Sequence, residues 1–88
     1  MQNIHIEATS TFIKHYRKLD FILQNQVKET LVLFKKNPLH PSLGNKKISG
    51  QKNIYELRVS KNFRITYSKE GNTIFLRKVW KHDIINNP

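Results

Sequence analysis

Residues Ile54–Asp83 read IYELRVSKNFRITYSKEGNTIFLRKVWKHD. Tyr55, Leu57 and Val59 alternate with Glu56, Arg58 and Ser60, and Phe63, Ile65 and Tyr67 alternate with Arg64, Thr66 and Ser68. A two-residue period is that of a strand with one face on a core. A three-residue loop at Ser60-Lys61-Asn62 pairs 59 with 63 and 58 with 64, which brings the two apolar sets together. Gly71-Asn72, glycine first, has the composition of a type II′ turn, and it pairs 67 with 76 and 64 with 79. In that register Ile74 and Leu76 join Ile65 and Tyr67 on the core side, while Phe75, Arg77 and Val79 share the face of Arg64. A slip by one residue would drive Arg77 into the core. The segment therefore predicts a three-stranded antiparallel meander, with Trp80 on the core side by parity, as packing rather than a base-stacking platform.

The other face of this meander gathers Glu56, Arg58, Arg64 and Arg77, with His82 just past the last strand. Arg58 directly across from Arg64 is a like-charge pair, which costs up to about 1 kcal/mol and which an anion would relieve. Glu56, diagonal to Arg64, relieves part of it. A surface cluster of ion pairs is one reading of this face; the other is chemistry on a phosphodiester. Cleaving RNA at its own 2′-hydroxyl needs a group that takes that proton, a group that protonates the leaving 5′-oxygen, and fixed cations on the transition state. Glu56, His82 and the arginines are residue types that fill those roles, histidine being the side chain that ordinarily titrates near neutrality. A metal site has less support: only His82, Asp83 and Glu56 stand to gather, and no HExxH or paired-cysteine spacing occurs. There is no phosphate-binding glycine loop and no serine-nucleophile elbow.

Working outward, Asn3–Glu7 alternates as a half-buried strand with Ile4 and Ile6 inward. Thr9 or Ser10 caps a helix whose Phe12, Ile13, Tyr16 and Leu19 share one face. Asp20 caps a second helix over 21–36, with a stripe of Leu23, Val27, Leu31 and Phe34 widened by Ile22 and Leu33. Lys35 and Lys36 complement the carbonyl end of its dipole. Asn37–Gly44 contains two prolines and reads as an irregular loop, with His40 a loop residue, and Lys46–Ser49 as a short strand. The expected fold class is α+β: an N-terminal strand, a helical hairpin, then a three- to four-stranded antiparallel sheet with the helices packed on one face.

Eighty-eight residues fit one domain, 1–88, near the small end of what folds unaided. With no cysteine, stability must come from packing without disulfides or thiolate metal sites. No apolar run is long enough to span a bilayer, and MQNIHIEAT lacks the layout of a signal peptide, so a soluble, cytoplasmic protein is expected. Sixteen Lys and Arg against six Asp and Glu give a net charge of +10, which predicts a polyanionic partner. Residues 37–88 hold ten of the sixteen basic residues and half of the acidic ones, so the excess is concentrated on the meander half.

Over nearly its whole length the sequence resembles the RelE/ParE superfamily of toxins from toxin–antitoxin modules. The features that carry the likeness are the first strand, the helical hairpin, the loop NPLHP, the segment KKISG, then YELRVSKNFRITY and the closing KVWKHD. The resemblance implies a small toxin held inactive by an acidic antitoxin, with no membrane and no small-molecule cofactor. In the RelE-type branch it implies a metal-independent endoribonuclease that enters the ribosomal A site and cleaves mRNA by 2′-hydroxyl attack. Arg58 and Arg64 fall where that branch places phosphate-binding basic residues, and His82 where it places its acid. Glu56 matches a position that is basic in some members, so its role as base rests on the shared face. Lys46 and Lys47 match a basic segment that would meet RNA, and Arg77 and Lys81 are further RNA- or phosphate-binding candidates. Many RelE-type members carry a tyrosine shortly after the acid, whereas Ile84-Ile85-Asn86-Asn87-Pro88 has none. Either another group, such as Tyr55, Phe75 or Trp80, takes over the stacking function of that tyrosine, or activity is reduced; the departure also leaves open the ParE-type branch, which inhibits DNA gyrase without a catalytic set, and a homologue that has lost activity.

Overall fold

The computed structural model describes residues 3–82. Strand β1 (His5–Ala8) leads into helix α1 (Ser10–Arg17), which is followed by α2 (Phe21–Lys36) and a 3-10 turn at Pro41–Leu43. Strands β2 (Lys46–Lys47), β3 (Ile54–Arg58), β4 (Phe63–Glu70) and β5 (Thr73–Lys81) complete the chain. Thr9 caps α1 by accepting from the Phe12 N–H (3.2 Å), and Asp20 caps α2 by accepting from the Leu23 N–H (2.8 Å). Each satisfies an amide that the first helical turn leaves unpaired. The apolar faces are narrower than the sequence predicts: Ile13 is 38% exposed and Ile22 69% exposed, and the buried hydrophobic residues of this layer are Phe12 of α1, Leu19 of the join between the helices, and Val27 and Phe34 of α2.

The five strands lie in the order β1-β5-β4-β3-β2. The sheet is mixed rather than wholly antiparallel: β1 pairs in parallel with β5, His5 opposite Thr73 and Ala8 opposite Leu76. The two-residue spacing of Ile4 and Ile6 announces a strand but carries no information on its neighbour. Both helices cover one face of the sheet, and Leu57, Ile65, Ile74, Leu76 and Val79 are almost fully buried beneath them, beside Leu43 from the 3-10 turn. Fully burying such a side chain contributes about 1.5–3 kcal/mol, which is how a chain without disulfides holds together.

The first hairpin has the predicted register, Arg58 opposite Arg64 and Leu57 opposite Ile65. The second begins as predicted, with Gly71 at φ +58°, Glu70 opposite Thr73 and Tyr67 opposite Leu76. Beyond Tyr67 it departs. A β-bulge inserts Arg77 as an extra residue, so Thr66 faces Lys78, Ile65 faces Val79 and Arg64 faces Trp80. The expected pairing of 64 with 79 is thus shifted by one residue, Val79 lies in the core, and Trp80 moves to the outer face. Continuing a regular strand would have turned Lys78 inward after Leu76; the bulge turns Val79 inward instead. Thr9 fastens the irregularity: its hydroxyl lies 2.7 Å from the Leu76 carbonyl and 3.2 Å from that of Arg77, and its N–H donates to Leu76 O (3.1 Å).

Candidate functional site on the outer face of the sheet

The face turned away from the helices carries Glu56 and Arg58 from β3, Arg64 and Thr66 from β4, and Lys78 and Trp80 from β5. Lys46 pairs opposite Glu56 and shares this face. His82 follows Trp80 by two residues, so strand alternation carries it to the same side; it is exposed, and its N–H donates to Asn62 O (2.6 Å) at the tip of the first hairpin. Glu56, Arg58, Arg64, Lys46 and His82 are therefore brought together. Lys47, opposite Tyr55, and Lys81, opposite Phe63, lie on the helix-covered side. Arg77 is the extra residue of the bulge.

Arg64 is the best-ordered cation of the set. Its Nε lies 3.5 Å from Glu56 Oε2, the two side chains being only 11% and 15% exposed. Its Nη1 donates to the carbonyls of Ser60 (2.8 Å), Phe63 (3.0 Å) and Lys61 (3.2 Å) at the β3–β4 loop. Glu56 and the loop carbonyls thereby relieve internally part of the repulsion that the register creates. Among the described residues Nη2 makes no hydrogen bond and remains a donor for an external anion, since a guanidinium has five N–H groups. Arg58 is exposed and makes no hydrogen bond or ion pair among the described residues. The pair thus combines one cation held by several partners with one exposed cation, beside a carboxylate paired to the first.

His15, which sequence reasoning passed over, and Trp80, which it placed on the core side, border this set. His15 of α1 reaches round the edge of β5: its Nδ1 accepts from the Val79 N–H (3.3 Å), and its ring lies 5.5 Å from that of Trp80 at 47°. Burial, together with Lys78 and Lys18, holds its pKa below the usual 6.5. Nothing in the local sequence of α1 marks His15, because its neighbour Trp80 comes from 65 residues away and arrives only through the bulge. Trp80 itself had a signal, the inward Lys78 of the unbulged register.

The covered side holds a second concavity, a cleft of about 540 Å³ between the end of α2 and the sheet. Phe34, Tyr55 and Tyr67 form its floor and Lys35, Lys36, Lys47 and Lys69 are among its lining residues. Tyr67 stacks on Tyr55 (centroids 5.1 Å apart, 15°) and its hydroxyl donates to Asn45 Oδ1 (2.7 Å). Burial pushes the Tyr67 phenol up to about 12 against the opposing pull of that hydrogen bond. Among the described residues no three His, Cys, Asp or Glu side chains converge as metal ligands. Asp83, and the stretch Ile84–Pro88 in which a tyrosine is missing, lie outside the described residues.

Two helices on one face of a five-stranded mixed sheet make the RelE-like α+β fold. The fold aligns with a chain of the RelB–RelE antitoxin–toxin complex from Methanococcus jannaschii at a TM-score of 0.72 and 26% identity, covering 86% of this chain and 89% of that one. It aligns with the DinJ–YafQ toxin–antitoxin complex of E. coli at 0.75 and 16% identity, covering 97% and 99%. A third solved neighbour is the YoeB dimer from Staphylococcus aureus, at 0.73 and 19% identity, covering 92% and 99%. No protein-family model matches the sequence, and no curated protein matches it. The structural neighbours are RelE-, YoeB- and YafQ-type toxins, and their likeness over most of the chain supports the RelE/ParE toxin fold for it.

Proposed function

We propose that this chain is the toxin of a toxin–antitoxin pair and acts as an endoribonuclease on mRNA in the ribosomal A site. The observation that carries the reading is the outer face itself, where Glu56, Arg58, Arg64 and His82 share one side of the sheet and Glu56 is already paired to Arg64. Glu56 accepts the proton of the 2′-hydroxyl as its oxygen attacks the adjacent phosphorus. Arg58 and the free edge of Arg64 hold the non-bridging oxygens as negative charge grows on them. Protonated His82 donates to the departing 5′-oxygen, leaving a 2′,3′-cyclic phosphate on one fragment and a 5′-hydroxyl on the other. Every role in the transesterification is filled by a side chain of this face. Support also comes from the solved neighbours, two of which are complexes of a toxin with its antitoxin. An acidic antitoxin suits a chain of net charge +10.

The test is to add purified protein to translating ribosomes and map the mRNA ends. Wild type is expected to cut within the A-site codon, and His82→Ala to cut 10²–10⁴-fold more slowly. Undiminished cleavage by His82→Ala removes the acid role; inhibition of gyrase supercoiling with no RNA cleavage at all replaces this reading by that of a gyrase inhibitor.

A further inference from the structure

The cleft on the covered side of the sheet has no part in the reaction above, yet lysines from three elements gather at its mouth. Lys35 and Lys36 come from the last turn of α2, Lys47 from β2 and Lys69 from β4. Each is exposed, and among the described residues none of them makes an ion pair or a side-chain hydrogen bond. No Asp or Glu is among the described residues that line the cleft. The helix dipole accounts for Lys35 and Lys36. It does not account for Lys47 and Lys69, which the sheet register brings to the same mouth, opposite Tyr55 and Ile74. Like charges gathered without a counter-charge repel one another, and a bound polyanion relieves the repulsion. Between the lysines the floor is apolar and fixed: Tyr67 stacks on Tyr55, and its ring centroid lies 5.2 Å from that of Phe34. Asn45 ties the wall to this floor, since its Oδ1 accepts from the Tyr67 hydroxyl and its Nδ2 donates to the Pro38 carbonyl (3.0 Å). At the rim, the Asn37 side chain makes no hydrogen bond among the described residues, so its amide has both donors and an acceptor to offer. The volume of about 540 Å³ falls within the roughly 300–1,000 Å³ of small-molecule sites, which share such an apolar wall with a few convergent polar groups.

We infer that this cleft binds a free nucleoside polyphosphate, with the base on the apolar floor and the phosphates among Lys35, Lys36, Lys47 and Lys69. Charge and shape together select that class. A compact inorganic anion leaves the floor in water, and an uncharged apolar molecule leaves the lysines unmatched. A flat ring with apolar faces and a polar edge meets the floor and the Asn37 amide, and the phosphate chain that it carries meets the cations. The site lies across the sheet from Arg58, Arg64 and His82, so it stands whether or not the outer face cuts RNA.

The experiment titrates the full chain with ATP, inorganic tripolyphosphate and adenosine in parallel and follows the amide resonances by NMR. With ATP, shifts are expected at residues 35–37, 45–47 and 69. ATP is expected to bind about tenfold or more tightly than either tripolyphosphate or adenosine, because each fragment uses only half of the site. Lys47→Glu combined with Lys69→Glu should weaken ATP binding roughly ten- to hundredfold. Lys14→Glu combined with Lys28→Glu makes the same change in net charge at exposed positions of the two helices and should alter the affinity less than about twofold. Equal affinity for ATP and tripolyphosphate reduces the cleft to a patch of cations and overturns the inference. So do shifts centred on Arg58, Arg64 and His82, which place the nucleotide on the outer face, and so does the absence of any shift. These wild-type titrations decide the matter even if a lysine variant does not fold. Because no RNA is cut in them, a failure to cleave mRNA removes the nuclease reading and leaves the cleft untouched.

Discussion

The two hairpins of the meander are built from similar residues and obey different rules. In β3–β4 one register runs from Ile54 opposite Ser68 to Arg58 opposite Arg64, and Tyr55, Leu57, Ile65 and Tyr67 meet the core without adjustment. In β4–β5 the turn at Gly71-Asn72 holds the register for four pairs, after which Arg77 is expelled and the remaining strand moves by one. The difference shows that a turn governs its nearest pairs, whereas burial governs the far end. A single lysine facing inward is a larger penalty than one irregular residue in a ladder.

The sharpest way to break this contrast is Val79→Asp. It replaces the side chain that the bulge turns inward by an unpaired carboxylate in the core, and the loss of stability is expected to be on the order of 3 kcal/mol or more, seen as a large drop in the urea midpoint; an unchanged midpoint would mean that burial does not set the bulge. Thr9→Ala removes both the cap of α1 and the clamp on the Leu76 and Arg77 carbonyls. About 2 kcal/mol should be lost, measured the same way, against a few tenths for alanine at the neighbouring exposed Ser10. Gly71→Ala tests the turn end of the comparison. An alanine at φ +58° costs about 1 kcal/mol, and a variant as stable as wild type would show the turn to be dispensable for register.

The smallest expected effect lies with His15, which covers the edge of β5 just past the bulge. Its folded pKa is lowered, so below about pH 6.5 the unfolded chain binds the proton more readily and stability falls as the pH drops toward the folded value. Above pH 6.5 this contribution is fully present. Thermal melts between pH 7.5 and 5 should show a shallower decline for His15→Asn, whose side-chain oxygen can still accept from Val79; parallel curves would rule out His15 as the titrating group.

The same contrast explains how much could be read in the sequence. Helix α2 was legible to the residue, since Asp20 and the Leu23-Val27-Leu31-Phe34 stripe are local signals, and Phe21–Lys36 is the helix observed. So was the first hairpin, where period and loop length agree, and with it the placement of Glu56, Arg58 and Arg64. The parallel partner of β1 was not, because four alternating residues carry no mark of a strand that arrives with Thr73. Trp80 was assigned to the wrong side because parity was counted from the turn through a bulge. The spacing of Leu76 and Val79, three where a strand gives two or four, was the overlooked sign. His15 had no sign at all: its meaning depends on Trp80, and contacts between distant segments are what periodicity leaves out.

The pairing of β1 with β5 also bears on how the protein comes into being. The first strand to be synthesised waits for the last, and the loop between them encloses every other element. Closing so long a loop is the slow, entropically costly part of folding for such a topology. A chain interrupted anywhere before Thr73 leaves β1 without its partner and lacks Trp80 and His82 as well. Incomplete products of translation therefore lack the outer face, which comes into existence only with a complete final strand.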